Sequence, residues 1–112
     1  MKPVYIDIHI HTSEDPNKIN TDYNCDVLME QVRKISGEAE VLLSLTDHNT
    51  INKSAYLNLK DKVDYLILGV ELHIRKYAGR PPYHCHILFE YMLYNGSTSC
   101  RVYILVQVVA CL

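Results

Sequence analysis

Histidine and carboxylate residues gather in four short runs of this sequence, each beside a strand-like segment. Three of these runs close such a segment, whereas the fourth has its polar residues at the start; they are Asp7 to His11, Thr46 to His48, Gly69 to Glu71 and His84 to Leu88. Imidazole and carboxylate groups together suit Zn²⁺, Mn²⁺ and Fe²⁺. Four such runs on successive strands predict a polynuclear metal site, and sites of that kind commonly hydrolyse phosphoesters.

The first run places two imidazoles on one side of a strand. His9 and His11 lie two residues apart, so their side chains project from the same face. Two neutral imidazoles in this arrangement can bind one metal ion. Asp7 shares that face, where it could ligate the ion or orient an imidazole from behind. The alternative is a solvent-facing edge strand that binds nothing.

The second and third runs follow directly on apolar segments. In parallel α/β folds, functional residues lie where strands end. A carboxylate such as Glu71 is costly there unless it is paired or bound to a metal. The alternatives are a salt bridge from Glu71 to Arg75 or Lys76, and a helix N-cap or turn role for Asp47.

The fourth run again places two histidines two residues apart. We expect one of His84 and His86 to be a ligand and the other to be a loop histidine. A glutamate that bridges two ions holds them about 3.5–4 Å apart, and Glu71 is the candidate for that role.

Hydrophobic patterning predicts an alternation of strands and helices. Strands are expected at residues 4–11, 41–45, 65–70 and about 84–89, and helices at 25–36 and around Ile51, Ala55 and Leu59. In the first strand Val4, Ile6, Ile8 and Ile10 are expected to share one face. The order β-α-β-α-β-loop-β indicates an α/β fold with a parallel sheet or a (β/α) barrel.

Composition restricts the class of protein. The 112 residues suit one small domain, and the net charge of -2 excludes a global basic field for a nucleic-acid backbone. No two of the four cysteines form a C-x-x-C pair, which argues against a zinc ribbon or a thioredoxin-like motif. The first residues show no signal-peptide pattern, so we expect a cytoplasmic protein with reduced thiols.

The last stretch of the chain differs from the rest. Residues 91–112 contain no acidic residue, and Arg101 is their only basic one. The apolar run from Val102 to Leu112 is well short of the ~20 residues that span a bilayer, so no membrane partner is expected. We divide the chain into a domain at 1–90 and this tail at 91–112, which is either a further strand or a truncated or foreign end.

In order and strand context, the four runs resemble the first four motifs of the PHP family, named after polymerase and histidinol phosphatase. The matching segments are Asp7-Ile-His9-Ile-His11-Thr12, Thr46-Asp47-His48, Gly69-Val70-Glu71 and His86-Ile87-Leu88. The resemblance implies a distorted (β/α)₇ barrel with up to three divalent ions (Zn, Mn or Fe) at its C-terminal mouth. It also implies phosphomonoester hydrolysis or 3′-5′ exonuclease activity.

The resemblance assigns roles to particular residues. His9 and His11 would hold the first metal, Glu71 would bridge the first and second, His86 would bind the second and His48 the third. Glu71 and His48 are thus the catalytic candidates. Asp15 is the nearest candidate for a ligand that many members add after the first motif. The supporting residues around the ligands would be Asp7, Asp47 and His84.

The chain departs from the family after its fourth motif. The family takes further ligands from a later histidine and an Asp-x-His pair, but no histidine follows His86 and no acidic residue follows Glu90. The chain therefore resembles the N-terminal half of the domain, a partial (β/α)₇ barrel with a mostly parallel sheet and flanking helices. The expected substrate is a phosphorylated small molecule or a nucleic-acid end, and unpaired strand edges predict self-association. The alternative is a truncated, catalytically silent metal-binding fragment, or an accessory module of a larger nucleic-acid enzyme or ATPase.

Overall fold

A computed structural model describes the backbone of residues 3–75, 78–80, 83–94 and 97–107, and the side chains of these as far as Phe89. Two helices and six strands follow one another in it: β1 (Val4–Ile10), α1 (Cys25–Ser36), β2 (Glu40–Leu45), α2 (Lys53–Leu59), β3 (Tyr65–Leu66), β4 (Leu68–Ile74), β5 (Tyr83–Tyr94) and β6 (Ser97–Gln107). The fold is α/β, as the hydrophobic pattern predicts, with a parallel three-stranded sheet and flanking helices.

The parallel sheet has the strand order β1-β2-β3, with β2 in the middle. Both helices pack on the face from which Val41, Leu43 and Leu45 project, and these three side chains are completely buried. The rest of this core comes from β1 and the two helices: Ile10, Cys25, Met29, Val32, Ala55, Tyr56 and Leu59.

Helix α1 begins and ends at residues whose chemistry suits those positions. The side chain of Asn24 accepts hydrogen bonds from the backbone N–H groups of Asp26 and Val27, which is an N-cap. Gly37 follows the helix in a left-handed conformation (φ 57°), and its N–H donates to the carbonyl of Arg33. The bounds predicted for this helix from the sequence, 25–36, are confirmed.

Strand β1 contains an irregularity that the sequence pattern does not show. Its register against β2 shifts between Asp7 and Ile10, so residues on either side of the shift differ in the face they present. Tyr5 and Ile10 consequently pack on the same core. Val4 and Ile6 are exposed, by 43% and 61% respectively. The prediction that Val4, Ile6, Ile8 and Ile10 share one face is therefore wrong for Ile10.

The second sheet differs from the parallel arrangement expected for the whole chain. The predicted strand at 65–70 is divided between β3 and β4, and β4 pairs with β5 in antiparallel orientation. Residues 75–82, which connect β4 to β5, are fewer than the dozen or more that a parallel crossover takes. An antiparallel hairpin is what so short a connection allows.

The tail forms strand β6 at Ser97–Gln107, paired antiparallel with β5. Residues 95–96 and 108–112 of the predicted tail lie outside the described part of the chain. Whether the tail is native to the domain stays a prediction. Neither helix in the described part of the chain has the length and apolar character needed to cross a membrane.

Candidate metal centre

All six histidines of the chain surround the side chain of Glu71. Five have a ring nitrogen within 4 Å of its carboxylate: His11 Nε2 at 2.8 Å, His84 Nδ1 at 3.0 Å, His48 Nδ1 at 3.2 Å, His86 Nε2 at 3.3 Å and His9 Nε2 at 3.8 Å. The sixth, His73, lies against His48, with 2.6 Å between its Nε2 and the Nδ1 of His48. The structure thus brings together every histidine that the sequence offers.

The β4–β5 pairing positions four of these residues. Glu71 lies directly opposite His86 in the register, and His73 lies directly opposite His84. Residues two apart on a strand share a face, so all four side chains project from the same side of the hairpin. The polar residues at the start of β5 meet those in the second half of β4 because the two strands run in opposite directions.

Residues 47–49 extend β2 and attach its end to β4. The N–H of Glu71 donates to the carbonyl of Asp47 at 2.9 Å, and the N–H of Asn49 donates to the carbonyl of Glu71 at 2.8 Å. His48 lies between these two bonds, in a parallel bridge with Glu71. Asn49 has φ 56°, a left-handed conformation that asparagine tolerates better than most residues, and its Oδ1 accepts a hydrogen bond from the N–H of His73 at 3.3 Å.

Asp47 holds the loop that follows His11 and does not contact an imidazole. Its Oδ1 accepts hydrogen bonds from the N–H groups of Thr12 (2.7 Å) and Ser13 (3.1 Å), and its Oδ2 accepts one from the Thr12 hydroxyl (2.7 Å). The same hydroxyl accepts a hydrogen bond from Nδ2 of Asn52 at 2.9 Å. These contacts are those of a turn residue, which is one of the alternatives that the sequence left open for Asp47. Through Thr12 they position the end of β1.

The carboxylates of Asp7 and Asp15 bond to nearby backbone and lie in neither cluster of candidate metal ligands. Oδ1 of Asp7 accepts a hydrogen bond from the N–H of His9 at 3.1 Å, within the irregular part of β1. Oδ1 of Asp15 accepts one from the N–H of Asn17 at 2.9 Å, and Asp15 faces Lys18 at 4.0 Å. Of the residues expected as ligands from the sequence, only Asp15 is not brought to Glu71.

Glu71 is a buried carboxylate whose partners are histidines. It is 1% exposed, and its described contacts include no salt bridge to Arg75, while Lys76 lies outside the described residues. Burial by itself raises the pKa of the Glu71 carboxyl. Hydrogen bonds with His86 and His84 and the proximity of other imidazoles outweigh burial, so the pKa lies below its ordinary value. The ionised form is the one that binds metals.

Two of the histidines have a pKa below the ordinary value of 6.5. Burial, followed by the proximity of His11, lowers the pKa of His48, and burial, followed by the proximity of His48, lowers that of His73. A neutral imidazole has a lone pair free for a metal ion. The surroundings of both rings therefore favour the protonation state that a ligand requires.

The shortest contact at Glu71 is not a hydrogen bond. Nε2 of His11 and Oε2 of Glu71 are 2.8 Å apart, yet both are buried atoms without a hydrogen-bond partner among the described residues. Two ligands of one ion lie roughly 2.8–3.5 Å apart when each metal–ligand bond is about 2.1 Å. Two atoms that approach so closely without a shared hydrogen bond fit neighbouring ligand positions around a cation.

Two clusters in the described part of the chain have the composition and spacing of a divalent metal site, and they share Glu71. One consists of His9, His11 and Glu71, and the other of His48, Glu71 and His73; in each, the candidate ligand atoms lie within 4.8 Å of one another. The two clusters share Glu71 because its carboxylate lies between the histidines of β1 and residues 47–49, which we call the His48 segment.

His73 is the member of this group that sequence reasoning missed. It follows Glu71 by two residues and hence lies on the same face of β4. That spacing is as informative as the His-x-His runs at 9–11 and 84–86, but the strand expected at 65–70 ends before His73, whereas β4 continues to Ile74. His84, expected among the supporting residues or in a loop, lies within β5 and contacts Glu71 more closely than His86 does.

Comparison with known proteins adds no relative. No family model matches the chain, and no curated protein matches it. What this site does must therefore be argued from its own residues and their geometry.

Proposed function

We propose that this chain carries a metal-dependent phosphoesterase site of the PHP type. The observation that carries the proposal is the buried carboxylate of Glu71 surrounded by six histidines. The order of the four motifs along the sequence supports the choice of family, and so does the meeting of their histidines around Glu71. By the same proposal, the parallel sheet and its helices are part of a (β/α)₇ barrel. The exposed Val4 and Ile6 then lie on the face that a barrel would bury.

The donor set suits a first-row divalent cation. Imidazole nitrogens favour Zn²⁺ or Fe²⁺ over Mg²⁺ and Ca²⁺, which prefer oxygen ligands, and a shared carboxylate accommodates more than one ion. His9, His11, His48, His86 and Glu71 would hold up to three ions by the family resemblance. Such ions lower the pKa of a water molecule and neutralise the charge of phosphoryl oxygens. Glu71 and His48 are the residues we assign to catalysis, because Glu71 belongs to both clusters and His48 lies against Glu71 and against His11 of the other cluster.

The openness of the site favours catalysis over a purely structural metal site. Structural sites are closed by protein ligands, whereas catalytic sites keep a position for water or substrate. Here the Glu71 side chain is buried, but nearly half of the His9 side chain and about a quarter of the His11 and His84 side chains are exposed. A phosphate group on a small molecule or at a nucleic-acid end could therefore approach the imidazoles from solvent. We place this reaction in the cytoplasm, where the free Cys25 and Cys85 stay reduced.

Hydrolysis of p-nitrophenyl phosphate by the purified chain tests the proposal, with Zn²⁺ or Mn²⁺ added to metal-free protein. We expect slow turnover that requires the metal and falls by about tenfold or more in Glu71→Gln. The matched control is Glu30→Gln, because Glu30 is an exposed glutamate on α1 whose ionic partner among the described residues is Lys34. Metal binding without any turnover would contradict the proposal and favour the silent metal-binding alternative.

A further inference from the structure

We propose that His48, His73 and Glu71 bind a metal ion of their own, beside the ion held by His9, His11 and Glu71. The inference deepens the proposed function and rests on its metal-dependent character. The family resemblance does not assign His73 any role, and it completes the ion at His48 with ligands from later motifs. In this chain the second half of β4 supplies the missing ligand instead.

A nitrogen of His48 and a nitrogen of His73 face each other beside the carboxylate of Glu71. Nδ1 of His48 and Nε2 of His73 are 2.6 Å apart, and the rings meet edge to face with their centroids at 4.5 Å. In the metal-free chain one of these nitrogens can donate its N–H to the other. An ion that replaces this proton would move the two nitrogens apart to at least about 2.8 Å. The carboxylate of Glu71, 3.2 Å from the same nitrogen of His48, supplies the negative charge that a cation requires.

His73 is held in place from two further sides. Its ring stacks on that of His84, with 4.3 Å between centroids and 17° between planes, because the two residues are paired across the hairpin. Its backbone N–H donates to the side chain of Asn49, whose own N–H bonds to the carbonyl of Glu71. Asn49 therefore fixes the His48 segment against both other members of the cluster. A pre-positioned donor loses little conformational entropy on binding.

Glu71 lies close to histidines of both clusters. Its Oε2 faces His11 and His48, whereas its Oε1 faces His9, His84 and His86. Each cluster then contains two imidazoles and one carboxylate, a set that leaves coordination positions open on Zn²⁺ or Fe²⁺. The described residues alone thus suffice for two ions that share Glu71.

Titration of the metal-free chain with Zn²⁺ tests this assignment, with stoichiometry read by calorimetry and by metal analysis after dialysis. We expect two ions per wild-type chain and one in His73→Gln. His73→Phe is the decisive variant, because phenylalanine keeps the ring stack on His84 but offers no ligand. It should also bind one ion. Titration with Co²⁺ gives a second readout, since the absorption of the bound ion should rise to two equivalents in wild type and to one in either variant.

The controls separate this inference from the proposed function. Glu30→Gln should keep both ions, and circular dichroism of each His73 variant should match wild type. If wild-type protein binds a single ion, or if His73→Phe keeps two, the second site does not exist. Phosphoesterase activity with one ion would then still stand. Conversely, if wild-type protein binds two ions and each His73 variant one, while no protein shows turnover, that result would support the second site and contradict the enzymatic proposal.

Discussion

Glu71 lies directly opposite His86 across the β4–β5 pairing, and its Oε1 is 3.3 Å from Nε2 of that histidine. This pairing brings a carboxylate from the third sequence run against an imidazole from the fourth. The other imidazoles reach the same carboxylate from β1 and from the segment after β2. A buried anion at the junction of the two sheets therefore organises the whole centre.

Replacing Asp47 should loosen the end of β1. In Asp47→Asn one carboxylate oxygen becomes an NH₂ group, so at least one of the hydrogen bonds from Thr12 or Ser13 is lost in a buried place. We expect the free energy of unfolding to fall by about 1–3 kcal/mol. Zn²⁺ affinity should fall as well, because His11 directly precedes Thr12. Urea denaturation and calorimetry measure the two effects.

Asp15→Asn is the natural comparison for that variant, since the sequence suggests Asp15 as a ligand. The structure turns this carboxylate toward the N–H of Asn17 and toward Lys18. We expect the Zn²⁺ affinity and the stability of Asp15→Asn to stay close to wild type. A large loss of affinity in Asp15→Asn alone would show that the loop closes onto the metal centre.

The hydroxyl of Tyr56 should contribute strongly to stability. It donates to the carbonyl of Leu45 at 2.6 Å and accepts from the N–H groups of Leu45 (3.0 Å) and Gly69 (2.9 Å), all in the buried junction between the sheets. Tyr56→Phe leaves these groups without a partner, which should cost about 1–3 kcal/mol.

Tyr65→Phe provides the matched control for the Tyr56 variant. Among the described residues, the hydroxyl of the exposed Tyr65 bonds to the carboxylate of the half-buried Glu40, at 3.1 Å, where water can replace it. We expect a loss of at most about 0.5 kcal/mol by urea denaturation. Equal losses in the two variants would mean that the Tyr56 hydroxyl has no special part in joining β2 to β4.

The metal-free protein should lose stability as the pH falls. His48 and His73 have pKa values below the ordinary 6.5, so below that pH the unfolded chain binds protons that the folded chain resists. Their contribution to the free energy of unfolding is complete above pH 6.5 and is lost as the pH falls through the lowered folded-state pKa values of the two histidines. Glu71, with a pKa below the ordinary 4.5, adds stability above that value, and this is lost as pH falls through its folded-state pKa.

Urea denaturation between about pH 8 and pH 5 measures this dependence. The double variant His48→Gln with His73→Gln lacks both titrating rings and should show a shallower decline over the range. A wild-type curve as flat as that of the double variant would contradict the assignment of these two rings as the source.

Self-association is expected through the edge of β1 that is unpaired in the described part of the chain, because this strand carries exposed apolar side chains. This strand is at the edge of the parallel sheet, and 61% of Ile6 and 43% of Val4 are exposed. Ile6→Lys should reduce the apparent mass measured by light scattering, since a charged edge strand resists pairing. Ile35→Lys, at an exposed position on α1, is the control and should change nothing. If Ile6→Lys leaves the apparent mass unchanged, the chain associates through a surface other than β1.

The sequence by itself determined the local elements and the kinds of ligand. Helix α1 follows from the spacing of its apolar residues and from its terminal glycine, which act within a few residues. The strands that end or begin in His and carboxylate residues are visible for the same reason. Because functional residues lie where the strands of a parallel sheet end, the sequence also led us to expect a single group of side chains from His9, His11, His48, Glu71 and His86.

Only the tertiary structure decided which atoms meet. The antiparallel direction of β5, the shifted register within β1 and the turn of Asp47 toward Thr12 depend on pairings between residues far apart in the chain. His73 gained its place in the same way, from a register that sets it opposite His84 and from Asn49, which holds its backbone. Strand spacing specifies the face from which a side chain projects, but its neighbours are set by hydrogen bonds between strands. Those bonds form through backbone groups common to almost all residues, so the residue types carry little information about them.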